Sequence, residues 1–384
     1  MKKKAPRRPA HSRPTLTTTP AKATSIPSVR TALPRQYYLD NLRWAISLWL
    51  IPTHTFFFYV QARSGNSSMF VLSNLASLPL WMPLLLIIAG MSTVFSLKKR
   101  TLGVYLRERA QKLLLPFVAT YVCVIPLSMY CLARTRGYTD GFGHFLFSLS
   151  TLWGYIQNFP LLHLWFLAAL IICSVTIAPL YKLYEQKVLL PKQSERKPLP
   201  YPALFLLFLL PLLASGRLQI FESFLSVGES LVWFSLGLFV LSNPATLARM
   251  EKHRWILLGV AVVAAVLSYS SLYAMLDFPP PFDRLFTFLH EWTAVLALLA
   301  LGKRFWNGRG KWSGYLQDSS FAFYLFHFLF VFVAGLLSVR LIPDNIWLSC
   351  LLTIALAYPL TFLFYEIVRR IPGLRFLFAI KPQS

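Results

Sequence analysis

The chain alternates between long apolar stretches and short basic ones, and this alternation predicts helices that cross a membrane. A helix needs about 20 mostly apolar residues to span the hydrocarbon core of a bilayer. Ten such stretches can be identified: 44–62, 75–96, 113–132, 162–181, 201–215, 224–241, 255–274, 286–302, 320–339 and 346–367. The fifth is the shortest and contains Pro211. The pattern predicts an all-α polytopic membrane protein with about ten transmembrane helices.

Two segments depart from this pattern. Residues 142–159 are aromatic and apolar but short, which predicts a re-entrant or interfacial segment. Residues 1–36 are rich in Pro, Thr, Ala and basic residues, and such a composition cannot bury a core. We expect a disordered basic cytoplasmic tail that attracts anionic lipid headgroups, has no role, or reflects a start codon placed too early. Residues 37–384 then form one transmembrane domain.

The distribution of charge explains the basic composition. The chain has 38 Lys and Arg against 14 Asp and Glu, a net charge of +24 that raises the question of nucleic acid. However, 32 of the 38 basic residues lie in the tail through Arg43, in every second loop and in the C-terminal end. This is the positive-inside rule, which predicts both termini on the cytoplasmic side. Topology therefore accounts for the basicity, and we expect no nucleic-acid partner.

Several classes of chemistry have no sequence support. The four cysteines are Cys123, Cys131, Cys173 and Cys350, and their spacing fits neither a metal site nor a disulfide framework. The sequence lacks a phosphate-binding loop, a dinucleotide glycine fingerprint and a zinc motif. We therefore predict no metal and no permanently bound cofactor.

Ionisable side chains inside a bilayer are energetically costly, so each one is a candidate functional residue. In the first span, Asp40 and Arg43 lie at the cytoplasmic edge and His54 lies inside. Arg43 and His54 are eleven residues apart, almost three helical turns, so they share one face with Ser47. The rise of the helix places His54 about 16 Å deeper, near the middle of the bilayer. Pro52 can bend the helix beside it.

Two interpretations of His54 are equally compatible with this spacing. A neutral imidazole at that depth could act as a general base toward a hydroxyl group. Alternatively, His54 is a structural residue that forms a hydrogen bond to a neighbouring helix.

A basic cluster lies at the cytoplasmic entrance to the third span. Arg109 and Lys112 are three residues apart on one helical face, and Arg107 is close by. These cations could bind the phosphates of a nucleotide-like donor such as coenzyme A. The alternative is that they only follow the positive-inside rule.

Further polar residues lie in or beside later spans. They are His163 and Trp165 at the outer end of span four, Glu291 in span eight, His327 in span nine and Glu366 at the end of span ten. Tryptophan is common at membrane interfaces, and a single intramembrane His or Glu is often a structural contact. Glu366 also has a simple alternative role as the ion-pair partner of the arginines that follow it.

These stretches together resemble the acyltransferase-3 family of polytopic membrane acyltransferases. The first-span signature of that family is present as Tyr38, Leu39, Asp40, Arg43 and His54. A second motif, two basic residues three apart and four positions before a proline, corresponds to Arg109, Lys112 and Pro116. The family normally has arginine at both positions, and Lys112 keeps the charge but loses the bidentate fork.

Two shorter motifs and the C-terminal end extend the resemblance from about Arg35 to Pro382. HLWFL begins at His163, and the tyrosine–leucine–x–histidine motif of span nine ends at His327. The C-terminal segment YEIVRRIPGLRFLFAIKP is most similar to the glucan-biosynthesis succinyltransferase branch.

The resemblance implies transfer of an acetyl or succinyl group from cytoplasmic acyl-coenzyme A to a sugar hydroxyl of a periplasmic or cell-surface glycan. In this hypothesis His54 is the base or a transient acyl carrier, and Arg43 fixes the donor. The phosphates of coenzyme A would bind Arg109 and Lys112, with Arg107 nearby. The family also implies a multi-pass protein of the bacterial inner membrane.

The remaining candidates are assigned to substrate binding. His163 and Trp165 would face the acceptor, because tryptophan faces commonly stack on sugar rings. Glu291, His327 and Glu366 complete the set, and we expect one of them to orient His54.

Two other function classes remain open on the residues alone. A transporter or flippase for a glycan or acyl intermediate could use the same ionisable residues as a relay, and would neither hydrolyse nor transfer acyl groups from acyl-coenzyme A. A scaffold for a glycan-export complex would tolerate the substitution His54→Ala.

Overall fold

A computed structural model describes Met1 and residues 36–382, except 63–66, 78–79, 149–160, 189–196, 220–225 and 274–277. The chain divides into the units Met1–Arg35 and Gln36–Ser384. Nearly all of the predicted basic tail lies outside the described residues, so its disorder stays a prediction.

The described residues of the first half form helices separated by short breaks. In chain order they are α1 (Tyr37–Ala62), α2 (Ser67–Ala76), α3 (Trp81–Lys99), α4 (Leu102–Arg109), a π-helical turn (Ala110–Leu114), α5 (Leu115–Cys123), α6 (Ile125–Thr135), α7 (Phe142–Phe147), a 3-10 turn (Leu162–Leu164) and α8 (Trp165–Val188). Of the predicted re-entrant or interfacial segment, α7 is described and residues 149–159 lie outside the described residues.

The second half continues in the same way. Its elements are α9 (Tyr201–Leu206), α10 (Leu209–Ala214), α11 (Val227–Ser235), a π-helix (Leu236–Leu241), α12 (Pro244–Lys252), α13 (Arg254–Leu272), α14 (Pro280–Phe305), α15 (Ser313–Leu341), α16 (Ile346–Arg370) and α17 (Pro372–Leu377). The described parts of the chain contain no strand. The predicted all-α class is therefore confirmed.

Seven helical segments of the described chain are long and apolar enough to cross a bilayer. They are Ser67–Lys99, Leu102–Thr135, Leu162–Gln186, Arg254–Ser271, Pro281–Phe305, Ser313–Leu341 and Ile346–Arg370. An eighth is added if Val227–Leu241 and Pro244–Lys252, which meet at a 90° bend, count as one span. At this bend the Asn243 side chain caps α12 by accepting from the N–H of Ala245. The chain is a multi-pass membrane protein.

All ten predicted stretches overlap helices, and two of them differ from the rest. The first predicted span corresponds to α1, which has 26 residues, carries Asp40, Arg43 and His54, and is not among the seven segments. The fifth corresponds to Tyr201–Ala214, a shorter apolar segment interrupted between α9 and α10. At about 1.5 Å per residue this segment covers about 21 Å, less than the thickness of the hydrocarbon core.

Helix α15 forms the centre of the domain. It packs against α1, α16 and α6, and Phe323, Phe326, Phe328 and Phe332 along it are almost completely buried. A helix that is apolar on every side belongs in the interior of a bundle, where all of its faces meet other helices. His327 interrupts this apolar surface and is also completely buried.

Glycine allows α15 to approach α1 closely. A Cβ atom added at Gly335 would lie 2.4 Å from Cε1 of Phe58. The Phe58 ring also packs edge-on against Phe332, with ring centroids 5.2 Å apart. The absence of a side chain at position 335 therefore sets the separation of these two helices.

A second close crossing joins α3 to the π-helix Leu236–Leu241. A Cβ at Gly237 would lie 2.1 Å from the carbonyl oxygen of Ile87, and a Cβ at Gly90 would lie 2.1 Å from that of Phe234. Small residues commonly permit this kind of backbone approach between membrane helices.

We predict that Gly237→Ala lowers the thermal unfolding midpoint of the detergent-purified protein. The added methyl group meets backbone atoms that cannot rotate away, and overpacking of this kind costs about 1–3 kcal/mol. Gly259→Ala is the matched control, because a Cβ at Gly259 in α13 has no other atom within 4 Å, and alanine is the better helix former. Equal midpoints for the two variants would contradict the close crossing.

Candidate active site

Three histidines that are far apart in the sequence meet in the core. His54 comes from α1, His163 from the 3-10 turn before α8, and His327 from the central helix α15. The His327 ring centroid lies 5.1 Å from that of His54 and 5.3 Å from that of His163. We refer to His54, His163 and His327 as the histidine cluster.

The ring of Phe328 connects the two histidines that flank His327. It stacks on His163 with centroids 4.8 Å apart and an interplanar angle of 19°. It meets His54 edge-on at 5.0 Å. This aromatic contact limits the freedom of both imidazoles and surrounds them with apolar surface.

The hydrogen bonds of His327 determine which ring nitrogen carries its proton. Nδ1 lies 3.1 Å from the carbonyl oxygen of Phe323 and 2.8 Å from that of Tyr324. A carbonyl oxygen only accepts hydrogen bonds, so Nδ1 is the donor. In the neutral imidazole Nε2 then keeps its lone pair. Nε2 is buried and has no hydrogen-bond partner in the described part of the chain.

His163 has the opposite arrangement. Its Nε2 donates to the carbonyl oxygen of Leu325 at 3.2 Å. Its Nδ1 therefore has the lone pair in the neutral ring, and among the described residues it too is buried without a partner. The Tyr324 hydroxyl fixes the turn by donating to the carbonyl of His163 at 2.6 Å.

His54 contacts its neighbours only through its ring in the described structure. It is half-buried and packs against Phe57, His327 and Phe328. Neither of its nitrogens has a hydrogen-bond partner among the described residues. The cluster as a whole presents basic nitrogens in an apolar surrounding, which suits proton transfer from a hydroxyl group.

Arg43 links α1 to α3. Its guanidinium donates to Asp40 at 3.1 Å, to the carbonyl of Ile88 at 3.2 Å and to the Ser92 hydroxyl at 2.5 Å. These bonds hold its charge at one position on α3, although a third of the side chain stays exposed. A fixed and partly accessible cation of this kind suits an anionic or carbonyl ligand.

A basic pocket of about 130 Å³ lies between the end of α3 and helix α4. Its lining side chains are Ser96, Arg100, Tyr105, Glu108, Arg109 and Lys112. The structure thus brings together the predicted residues Arg109 and Lys112. Arg109 lies over the ring of Tyr105 at 5.0 Å, a cation–π contact. Arg107 is exposed and does not line this pocket.

Two serines on α3 connect Arg43 to the basic pocket. Ser92 accepts from Arg43, and Ser96 lines the pocket. Residues four apart lie one turn apart on the same helical face. The predicted donor residues therefore lie along one side of α3.

Trp165 in α8 and Glu291 in α14 are two further residues predicted to bind substrate. Trp165 is buried and packs near Phe166, with ring centroids 6.2 Å apart. Glu291 in α14 is buried, and its Oε2 has no hydrogen-bond partner among the described residues. Substrate binding by Trp165 and Glu291 stays a prediction.

Glu366 forms the ion pairs that the sequence offered as its simpler role. Its carboxylate lies 2.9 Å from Arg369 and 3.5 Å from Arg370, and it accepts from the Tyr315 hydroxyl at 3.0 Å. These contacts hold the end of α16 against α15. The described structure gives Glu366 no contact with His54.

Sequence reasoning missed several residues of the two sites. Phe328 was not predicted, because a phenylalanine in an apolar span carries no sequence signal. Glu108 was overlooked, although its position four residues before Lys112 is typical of a helical ion pair. Ser92 and Ser96 also have the spacing of one helical face, but small hydroxyl residues are common in membrane helices.

The described residues contain no group of three or more His, Cys, Asp or Glu side chains placed to bind a metal ion. Two of the six ring nitrogens in the histidine cluster, Nδ1 of His327 and Nε2 of His163, are held by backbone carbonyls.

Comparison with known proteins identifies the class of protein to which this fold and these sites belong. Residues 36–366 match the acyltransferase-3 family model, described as an acyltransferase domain. The match covers most of the chain, so the protein belongs to this family and is a membrane O-acyltransferase. No curated protein and no solved structure matches the chain.

We predict that Tyr324→Phe lowers the unfolding midpoint more than Tyr315→Phe. The first substitution leaves the buried carbonyl of His163 without its donor, at a cost of about 1–3 kcal/mol. The second removes one donor from Glu366, which keeps its two arginines. Thermal unfolding in detergent compares the two. A smaller loss for Tyr324→Phe would show that its hydroxyl does not fix the His163 turn.

Proposed function

We propose that this enzyme transfers an acetyl or succinyl group from acyl-coenzyme A on the cytoplasmic side to a sugar hydroxyl of a periplasmic or cell-surface glycan. The cell is a bacterium, and the membrane is its inner membrane. The histidine cluster is the observation that carries this proposal, because it offers three imidazoles in the buried centre of a membrane acyltransferase. The orientation with both termini in the cytoplasm follows from the charge distribution.

His54 is the general base of the transfer. It takes the proton of the acceptor hydroxyl while the oxygen attacks the thioester carbonyl. The carbon–sulfur bond then breaks, and the departing thiolate of coenzyme A receives the proton from His54. His163 and His327 support this step, because their unprotonated nitrogens accept hydrogen bonds from the hydroxyl or from protonated His54.

The donor side of the reaction uses the basic pocket and Arg43. Arg109 and Lys112 bind phosphates of coenzyme A, with Lys112 acting as a point charge. Arg43 stabilises the negative charge that develops on the thioester oxygen. The serine-bearing face of α3 supports this arrangement, because it holds Arg43 one turn from the pocket.

The substrate pair follows from the resemblance of the C-terminal segment to glucan-biosynthesis succinyltransferases. A succinyl donor and a periplasmic glucan acceptor are therefore the first pair to test. Acetyl transfer to another surface glycan is the second.

We predict that His54→Ala abolishes acyl transfer while the protein still accumulates in the membrane. Loss of a general base lowers the rate by about 100-fold to 10,000-fold. Cells that lack the gene are complemented with wild type, His54→Ala or His144→Ala at matched levels. Mass spectrometry of periplasmic and surface glycans then identifies the substituent. His144 is the control, because it lies exposed in α7 beside Asp140.

Wild type and His144→Ala should both restore the substituent, and His54→Ala should not. Identical glycans in all strains would overturn the glycan acceptor. Restoration by His54→Ala would retain the enzyme but remove His54 as its base.

We predict that Arg109→Gln and Lys112→Gln each raise the KM for acyl-coenzyme A by about tenfold, because each removes a charge-assisted phosphate contact. Initial rates are measured with the purified protein in nanodiscs. Arg304→Gln is the control, because Arg304 is an exposed cation at the end of α14 that does not line the pocket. An unchanged KM in both pocket variants would place the donor phosphates elsewhere.

A further inference from the structure

The carboxylate of Glu108 forms part of the lining of the basic pocket. Oε2 of Glu108 lies 2.6 Å from Nη1 of Arg100 and 3.1 Å from Nζ of Lys112. One oxygen atom thus bridges two cations that come from different parts of the pocket wall.

The two cations reach this oxygen from different segments of the chain. Arg100 is the residue directly after α3, in an extended conformation, and Thr101 then caps α4. Lys112 lies one helical turn after Glu108, inside the π-helical turn. The bridge therefore closes the pocket across the junction between α3 and α4.

The charge of the pocket favours an anionic ligand even with this bridge in place. Its lining carries Arg100, Arg109 and Lys112 against the single acid Glu108. Phosphate oxygens, like carboxylate oxygens, form charge-assisted hydrogen bonds with Arg and Lys. The volume of about 130 Å³ exceeds what a single water molecule needs.

The side chains that form this bridge are all partly exposed. Arg100 is 41% exposed, Lys112 63% and Glu108 28%. Ion pairs at such exposure contribute about 1 kcal/mol or less to stability. A multiply charged phosphate ligand can therefore replace the carboxylate at little cost.

We propose that Glu108 is an internal competitor for a phosphate-binding site, and that Arg100 is a third cation of this site beside Arg109 and Lys112. When a phosphate group binds, it displaces the Glu108 carboxylate from Arg100 and Lys112. Glu108 then moves toward solvent, and the site keeps its affinity low enough to release the product. The identity of the ligand as coenzyme A rests on the proposed function, but the competition itself does not.

A purely structural bridge makes the opposite prediction. If Glu108 only holds Arg100 and Lys112 in place, its removal loosens both cations and weakens anion binding. If Glu108 competes with the ligand, its removal strengthens anion binding. The sign of the change in affinity separates the two.

The experiment measures binding of pyrophosphate and, separately, of coenzyme A to the full-length protein in nanodiscs of zwitterionic lipid. We expect Glu108→Gln to tighten pyrophosphate binding about threefold to fivefold, with a smaller gain at high salt. Arg100→Gln should weaken binding by a similar factor. Glu251→Gln is the matched control, because Glu251 also pairs with a lysine, Lys303, but lies outside the pocket.

Unchanged or weaker pyrophosphate binding by Glu108→Gln would overturn the competition, and unchanged binding by Arg100→Gln would remove Arg100 from the site. If pyrophosphate binding follows the prediction but coenzyme A neither binds nor turns over, the phosphate site stands and the proposed donor fails.

A final experiment repeats the pyrophosphate measurement in nanodiscs that contain phosphatidylglycerol. If that lipid abolishes pyrophosphate binding in the wild type, the phosphate that the site takes belongs to a lipid headgroup rather than to a soluble donor.

Discussion

The arrangement of the site depends on hydrogen bonds from imidazoles to backbone carbonyls of one buried helix. Phe323, Tyr324 and Leu325 of α15 direct their carbonyl oxygens to His327 and His163. Each bond assigns one nitrogen of its ring as the donor and leaves the other as a base. In a hydrocarbon surrounding an unpaired polar group is costly, so these bonds also decide where the rings lie. Helix α15 is thus both the centre of the fold and the helix that orients the rings of His163 and His327.

The helices could be located from the sequence because a membrane span requires about 20 mostly apolar residues. Apolar stretches and the polar residues within them were visible, and His54, His163 and His327 were all identified as candidates. Their proximity was not predictable, because it depends on how α1, the 3-10 turn before α8, and α15 pack together. Phe328 shows the same limit, since its role follows from the positions of two rings from other helices.

Other residues that the sequence singled out lie outside the histidine cluster and the basic pocket. Glu366 was a candidate because it is energetically costly to place an ionisable residue near the membrane. In the structure its ion pairs with Arg369 and Arg370 offset this cost. Arg107 was grouped with Arg109 and Lys112 by proximity in sequence, but the helix turns it to solvent. Conversely, Arg100 lies twelve residues before Lys112 and joins its pocket through the break between α3 and α4. Distance along the chain is a poor guide wherever a helix begins or ends.

The glycine at position 335 has a consequence for the histidine cluster. Phe58 lies one turn beyond His54 on α1, and Gly335 lies about two turns beyond His327 on α15. Because Gly335 has no side chain, α1 and α15 can approach closely there, and this approach also sets the distance between His54 and His327. A larger residue there would increase the separation of His54 and His327 while leaving both imidazoles unchanged. A glycine that bears no functional group thus constrains the geometry of the proposed active site.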